Sequence, residues 1–170
     1  MLGAVIWLSY IVIMWKKYGG VKSSVSALFN YLKGSYTKRR LVIAVIYVAA
    51  AFFLARAIWL LDVSFISNIF GIVGTAGLAG AGIIPDSRNK AGSYSKLKDK
   101  AHIISTLIAI VCSMIYIVMS SIILQRYWFL LIPAVTIAAT VYMLREKVKN
   151  HTTWIELAMF FAVLMFINLI

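Results

Sequence analysis

Apolar residues run through this chain in six long stretches, at 1–15, 41–61, 65–85, 103–124, 128–144 and 154–170, with almost no Lys, Arg, Asp or Glu inside them. A helix that crosses the hydrocarbon core of a bilayer needs about 17–25 such residues. The first stretch is short by that measure and the last two are near its lower bound. In lipid only helices and closed barrels satisfy their own backbone groups. The pattern therefore predicts an all-α polytopic bundle, one domain over 1–170, with six spanning helices.

The polar gaps between the stretches alternate in charge. The gap 16–40 carries Lys16, Lys17, Lys22, Lys33, Lys38, Arg39 and Arg40, the gap 86–102 carries Arg88, Lys90, Lys96, Lys98 and Lys100, and the gap 145–153 carries Arg145, Lys147 and Lys149. The other two connections, 62–64 and 125–127, contain one basic residue, Arg126. Basic loops stay on the cytoplasmic side. The three rich gaps are thus expected inside and both termini outside, which suits a bacterial inner membrane. The first gap also places Val21, Val25, Leu28, Phe29 and Leu32 at helical spacing. That predicts a short amphipathic helix resting on the inner surface and ended by Gly34.

Composition agrees. The chain has 170 residues, 63% of them hydrophobic and 13% charged, and a mean hydropathy of +0.94. A soluble domain is about a quarter charged. The net charge of +12 does not argue for nucleic acid, because the basic residues flank apolar spans as topology requires. Their expected partners are anionic lipid headgroups, met by Lys16, Lys17, Lys38, Arg39 and Arg40. The lone Cys112 lies mid-span and reads as a small apolar residue.

Half of the ten glycines fall in the third stretch, as Gly71, Gly74, Gly77, Gly80 and Gly82, beside Ala76, Ala79 and Ala81. Small residues four apart let helices approach closely in lipid. Gly71, Gly74, Gly77 and Gly80 are therefore expected to pack at the bundle centre; a broken helix lining a solute path is the other reading. Arg56 is expected to snorkel outward as an anchor at the outer interface, with Asp62 near enough in the turn to pair with it. Trp7, Trp59, Tyr127 and Trp128 suit the aromatic belt. Pro133 is expected to bend the fifth span.

The remaining ionisable groups gather at one end. Asp86 follows Pro85 at the end of the third span, His102 stands at the start of the fourth, and His151 and Glu156 bracket the start of the sixth. Ser24 and Ser26 lie at the same level. These residues can cap helices, with Thr152 or Thr153 as N-cap and Glu156 in the first turn. They can form a network that binds a ligand or relays protons. Asp86, His102 and Glu156 can also hold a divalent metal, since carboxylate and imidazole suit zinc. No resident cofactor is expected otherwise. The chain holds no H-E-x-x-H, phosphate loop, G-x-S-x-G or paired cysteines.

Three short motifs carry a resemblance. They are Tyr18-Gly19 followed by Ser24-Val25-Ser26, Pro85-Asp86 with His102, and Trp154-Ile155-Glu156. With these the chain resembles a group of small uncharacterised six-helix membrane proteins of bacteria and their phages. It departs from them at Lys22, Ser23 and Leu28 and in a longer 86–102 loop. The resemblance implies the six-helix architecture and no particular activity. Transport of a small solute or ion, or ligand binding at the polar end, is the leading expectation, with a homo-oligomer enlarging a small bundle. A membrane-embedded hydrolase using Asp86, His102 and Glu156 with Ser24 or Ser26, and a non-catalytic scaffold, are the alternatives.

Overall fold

The computed structural model describes Ser9, Val12, Lys16 and residues 35–84, 96–146 and 151–170. Among these residues the chain is helical with short turns and has no strand. The helices are α1 (Tyr36–Leu61), α2 (Phe65–Ile83), α3 (Lys96–Ile123), α4 (Leu131–Arg145) and α5 (His151–Leu169), with a 3-10 turn at Tyr127–Leu130 before α4. Four of them, α1 to α3 and α4 with its 3-10 turn, are long and apolar enough to cross a membrane. The apolar part of α5, Trp154–Leu169, reaches roughly 24 Å at 1.5 Å per residue, short of a hydrocarbon core of about 30 Å. The expected span 1–15 lies outside the described residues except for Ser9 and Val12, both helical and exposed. Trp7 and the amphipathic helix expected at 21–33 lie outside them as well.

Three helices begin earlier than the apolar stretches do. Helix α1 starts at Tyr36, capped by the Ser35 hydroxyl, which accepts from the Lys38 backbone N–H at 3.4 Å. The run Lys38-Arg39-Arg40 therefore lies inside a helix, across its first and second turns, and not in a loop. Helix α3 starts at Lys96, so His102 is not at its start but two turns inside. Helix α5 starts at His151, and no acidic residue stands in its first turn. Thr152 and Thr153 are inside the helix, and Glu156 lies in its second turn. The expected capping box is thus overturned, and the helix-dipole benefit to Glu156 fades with it. In each case polar residues continue a helix past the edge of the apolar core.

The turns have local causes. Asp62 takes a left-handed conformation (φ 41°) at the end of α1, a region that Asp tolerates better than most residues. Ser64 then caps α2, its hydroxyl accepting from Ser67 N at 3.2 Å. Asp62 accepts from the Asn68 side-chain amide at 3.3 Å. Arg56 is exposed and about 8 Å of helix from the end of α1; the side-chain partner of Asp62 is Asn68 and not the expected Arg56. At the end of α3, Arg126 N donates to Ser121 O at 3.0 Å and Gln125 N to Ile122 O at 3.1 Å. Gln125 has φ 54°, which completes a Schellman cap without glycine. Pro133 does not bend a span at its middle. It is the third residue of α4, where a missing N–H costs little, and the chain before it is the 3-10 turn.

Helix α2 packs chiefly on α3 and next on α1. A Cβ added to Gly77 would stand 2.6 Å from Ala109 N and 2.8 Å from Ser105 O, both backbone atoms. At Gly74 it would meet Ser113 Oγ at 2.7 Å, at Gly80 Ser105 Oγ at 2.8 Å, and at Gly71 Ile58 Cγ2 at 2.8 Å. Gly82 is closed off by Tyr47. Glycines three apart on α2 thus meet Ser105, Ala109 and Ser113, four apart on α3. Three-rows against four-rows give a shallow crossing of about 20° in general.

Helix α5 is short but deeply placed. Phe160 and Leu164 pack with Ile43, Tyr47, Ala50 and Leu54 of α1. Phe166, wholly buried, meets the rings of Tyr116 and Phe129 edge-on at 5.6 and 5.1 Å. The outward faces stay apolar, as with Leu41, Val45, Phe52 and Trp59 on α1. A helix apolar on its outer face as well as its inner one fits lipid as its solvent.

Replacing Gly77 by Ala is expected to cost about 1–3 kcal/mol, because helix backbone must move to admit the methyl group. Gly80→Ala is expected to cost less, since the Ser105 hydroxyl can rotate away. Thermal unfolding of the two variants in detergent measures the difference; equal midpoints would contradict the packing described.

Candidate functional site

The site forms around the end of α2. A helix leaves its last carbonyls without intrahelical donors, and α2 stops at Ile83 because Ile84 precedes Pro85 and turns out of the helical region (φ −117°, ψ 73°). Two neighbouring helices supply donors. The His102 ring of α3 places Nδ1 2.6 Å from Ile84 O and 3.2 Å from Ala81 O. Both partners are carbonyls, so Nδ1 carries the proton. From α1, Arg40 Nε donates to Ile83 O at 3.1 Å. His102 is 3% exposed, and its own carbonyl accepts from the Thr106 hydroxyl at 3.0 Å.

Beneath this cap lies a partly open cavity of about 70 Å³, lined by α1, α2, α3 and α5. Tyr47 and Leu54 come from α1, Thr75 and Leu78 from α2, His102, Thr106 and Ser113 from α3, and Glu156, Met159 and Phe160 from α5. From His102 to Ser113 it follows about 16 Å of α3. Helix α3 supplies its wall from positions 102, 106, 109, 110 and 113, an i, i+4, i+7, i+8, i+11 stripe on one face. The cavity exists because glycine, alanine, serine and threonine leave space that bulkier side chains would fill. On the same measure one water needs about 10–15 Å³, so the cavity has room for more than one.

The structure brings two of the expected site residues into one wall, His102 and Glu156. Asp86, Ser24 and Ser26 lie outside the described residues, as does Lys17. His151 opens α5, and its side chain is also outside them. Among the described residues no three His, Cys, Asp or Glu side chains gather as a metal would require. Of the residues expected at lipid headgroups, Lys16 and Lys38 are exposed and Arg39 and Arg40 are half-buried. Tyr47, Thr75, Thr106 and Ser113 were not expected here. The helical spacing of Thr106 and Ser113 from His102 was a signal for two of them, and Tyr47 had none because it is one aromatic among many.

Fold and cavity together define the class: among the described residues, an all-helical bundle with helices able to cross a membrane and, between them, a mostly apolar cavity with a few polar side chains in its wall. Neither a protein-family model nor a curated protein nor a solved structure matches this chain.

His102→Ala is expected to destabilise the bundle by about 1–3 kcal/mol, since buried carbonyls lose a donor. Glu156→Gln keeps the side-chain shape and an acceptor oxygen, so its effect on stability is expected to be smaller. Unfolding midpoints in detergent compare them; a larger loss for Glu156→Gln would reverse the assignment.

Proposed function

We propose that this protein spans the bacterial inner membrane six times and binds a small solute in the cavity between its helices, passing it toward the cytoplasm. The reading rests on one observation above all, the presence of His102 and Glu156 in the wall of one cavity inside an apolar bundle. Ionisable groups at such depth are costly and commonly mark a solute or ion path. The positive-inside rule supports an orientation with Lys38–Arg40, Lys98, Lys100 and Arg145 in the cytoplasm and both termini outside. The resemblance to small six-helix membrane proteins supports the span count, with 1–15 as the first helix and α5 as the last. A short last helix is reconciled with the bilayer by local thinning or by packing against neighbours.

Solute uptake by proteoliposomes tests the function. Uptake of a small solute is expected to saturate, to be abolished by Thr106→Phe, which fills the cavity, and to persist in Thr106→Val, which keeps its volume. Absence of uptake and binding for ions, cations, anions and neutral solutes alike would contradict the proposal.

A further inference from the structure

We infer that a water molecule is bound between α2 and α3 at Asn68, Tyr116 and Ser120, joining the two helices beyond the last glycine of their seam. The inference stands apart from the solute-binding reading. The two helices run antiparallel along the seam. A Cβ on Gly80 would meet Ser105, one on Gly74 would meet Ser113, and one on Gly71 would stand 3.1 Å from Tyr116 Cδ2. Asn68 is one turn from Gly71 toward the start of α2, and Ser120 is one turn from Tyr116 toward the end of α3. Past Gly71 there is thus no further glycine on α2, and polar side chains come level on the two helices.

These side chains are buried. Tyr116 and Ser120 are wholly so, and Asn68 is 3% exposed. Yet Tyr116 OH, Ser120 Oγ and Asn68 Oδ1 each have no hydrogen-bond partner among the described residues. The Ser120 hydroxyl is the polar neighbour of the Tyr116 hydroxyl, but the two do not meet in hydrogen-bond geometry. Ser121 bonds back to Ile117 O at 2.6 Å, whereas Ser120 makes no such bond within its own helix. Asn68 Nδ2 donates to Asp62 Oδ1 at 3.3 Å. That bond uses the donor end of the amide, so Asn68 Oδ1 remains an acceptor in need of a donor.

Bare polar groups in an apolar interior are costly, and native structures pair them with protein or with ordered water. The neighbours Ile58, Phe129 and Phe166 are apolar and offer no partner. One water supplies what all three oxygens lack. Donating to Asn68 Oδ1 and Ser120 Oγ and accepting from Tyr116 OH, it makes three hydrogen bonds, the usual number for a buried water. A cation suits the set less well, because the Tyr116 and Ser120 hydroxyl protons would still lack acceptors.

Solid-state NMR of the full chain in bilayers tests this, with carbon-13 at Cζ of Tyr116 and of Phe166. Polarisation from water protons is expected to reach Tyr116 and to miss Phe166, whose ring packs edge-on against it. Ser120→Val, which removes a partner and fills the water's place with a methyl group, is expected to abolish the transfer to Tyr116. A Tyr116 signal as dry as that of Phe166 would overturn the inference. Transfer unchanged in a folded Ser120→Val would overturn it too, since the water would then lie elsewhere. If Ser120→Val does not fold, the comparison of Tyr116 with Phe166 in the unaltered chain decides.

Discussion

The backbone of α2 lies against the backbone of α3 at Gly77 and Ala109, and the arrangement of the bundle follows from that approach. Lipid is as apolar as a leucine side chain, so no hydrophobic force drives these helices together. Attraction must come from close van der Waals contact, which a Cβ at Gly77 would block. Glycines at three-residue spacing on one helix and small residues at four-residue spacing on the other supply that contact along several turns. The approach also sets the register of α2 on α3. With Gly80 at Ser105, the end of α2 comes level with His102, one turn before Ser105 on α3.

That register explains the polar end of the molecule. The last carbonyls of α2 meet His102 from one side and Arg40 from the other. A helix can thus end inside the bundle without buried unsatisfied carbonyls at these three positions. The same small residues that allow the approach leave the space lined by Thr75, Thr106 and Ser113. Helix α5, wedged against α1 by Phe160 and Leu164, closes the space and carries Glu156 into its wall. Packing and site therefore have one origin, and a change at the seam is felt in the cavity.

Much of the fold was legible because lipid imposes a coarse rule, long apolar helices separated by charge. The Asp62–Ser64 turn follows from two residues whose side chains favour ending and starting helices. The helix starts were less legible, since Tyr36, Lys96 and His151 begin helices in polar sequence that hydropathy assigns to loops. Glu156 was misplaced for that reason: two threonines before a glutamate look like a cap, yet they already belong to α5. Pro133 looked like a kink because its distance from the helix start depended on the 3-10 turn, which apolar Tyr127–Leu130 conceals. For the site, His102 and Glu156 stood out as rare ionisable groups. Their shared cavity did not, because it depends on how four helices are arranged, and the α3 stripe shows only one wall of it.

The seam is tested most directly by solid-state NMR of the protein in bilayers, with carbon-13 at the Gly77 Cα and nitrogen-15 at the Ala109 amide. A Cβ on Gly77 would stand 2.6 Å from that nitrogen, and one carbon–carbon bond of about 1.5 Å separates it from the Cα, so the labelled pair is within about 4 Å. The account predicts a strong dipolar coupling corresponding to that distance. A coupling too weak to detect, placing the pair beyond about 7 Å, the closeness of side-chain rather than backbone contact, would contradict it.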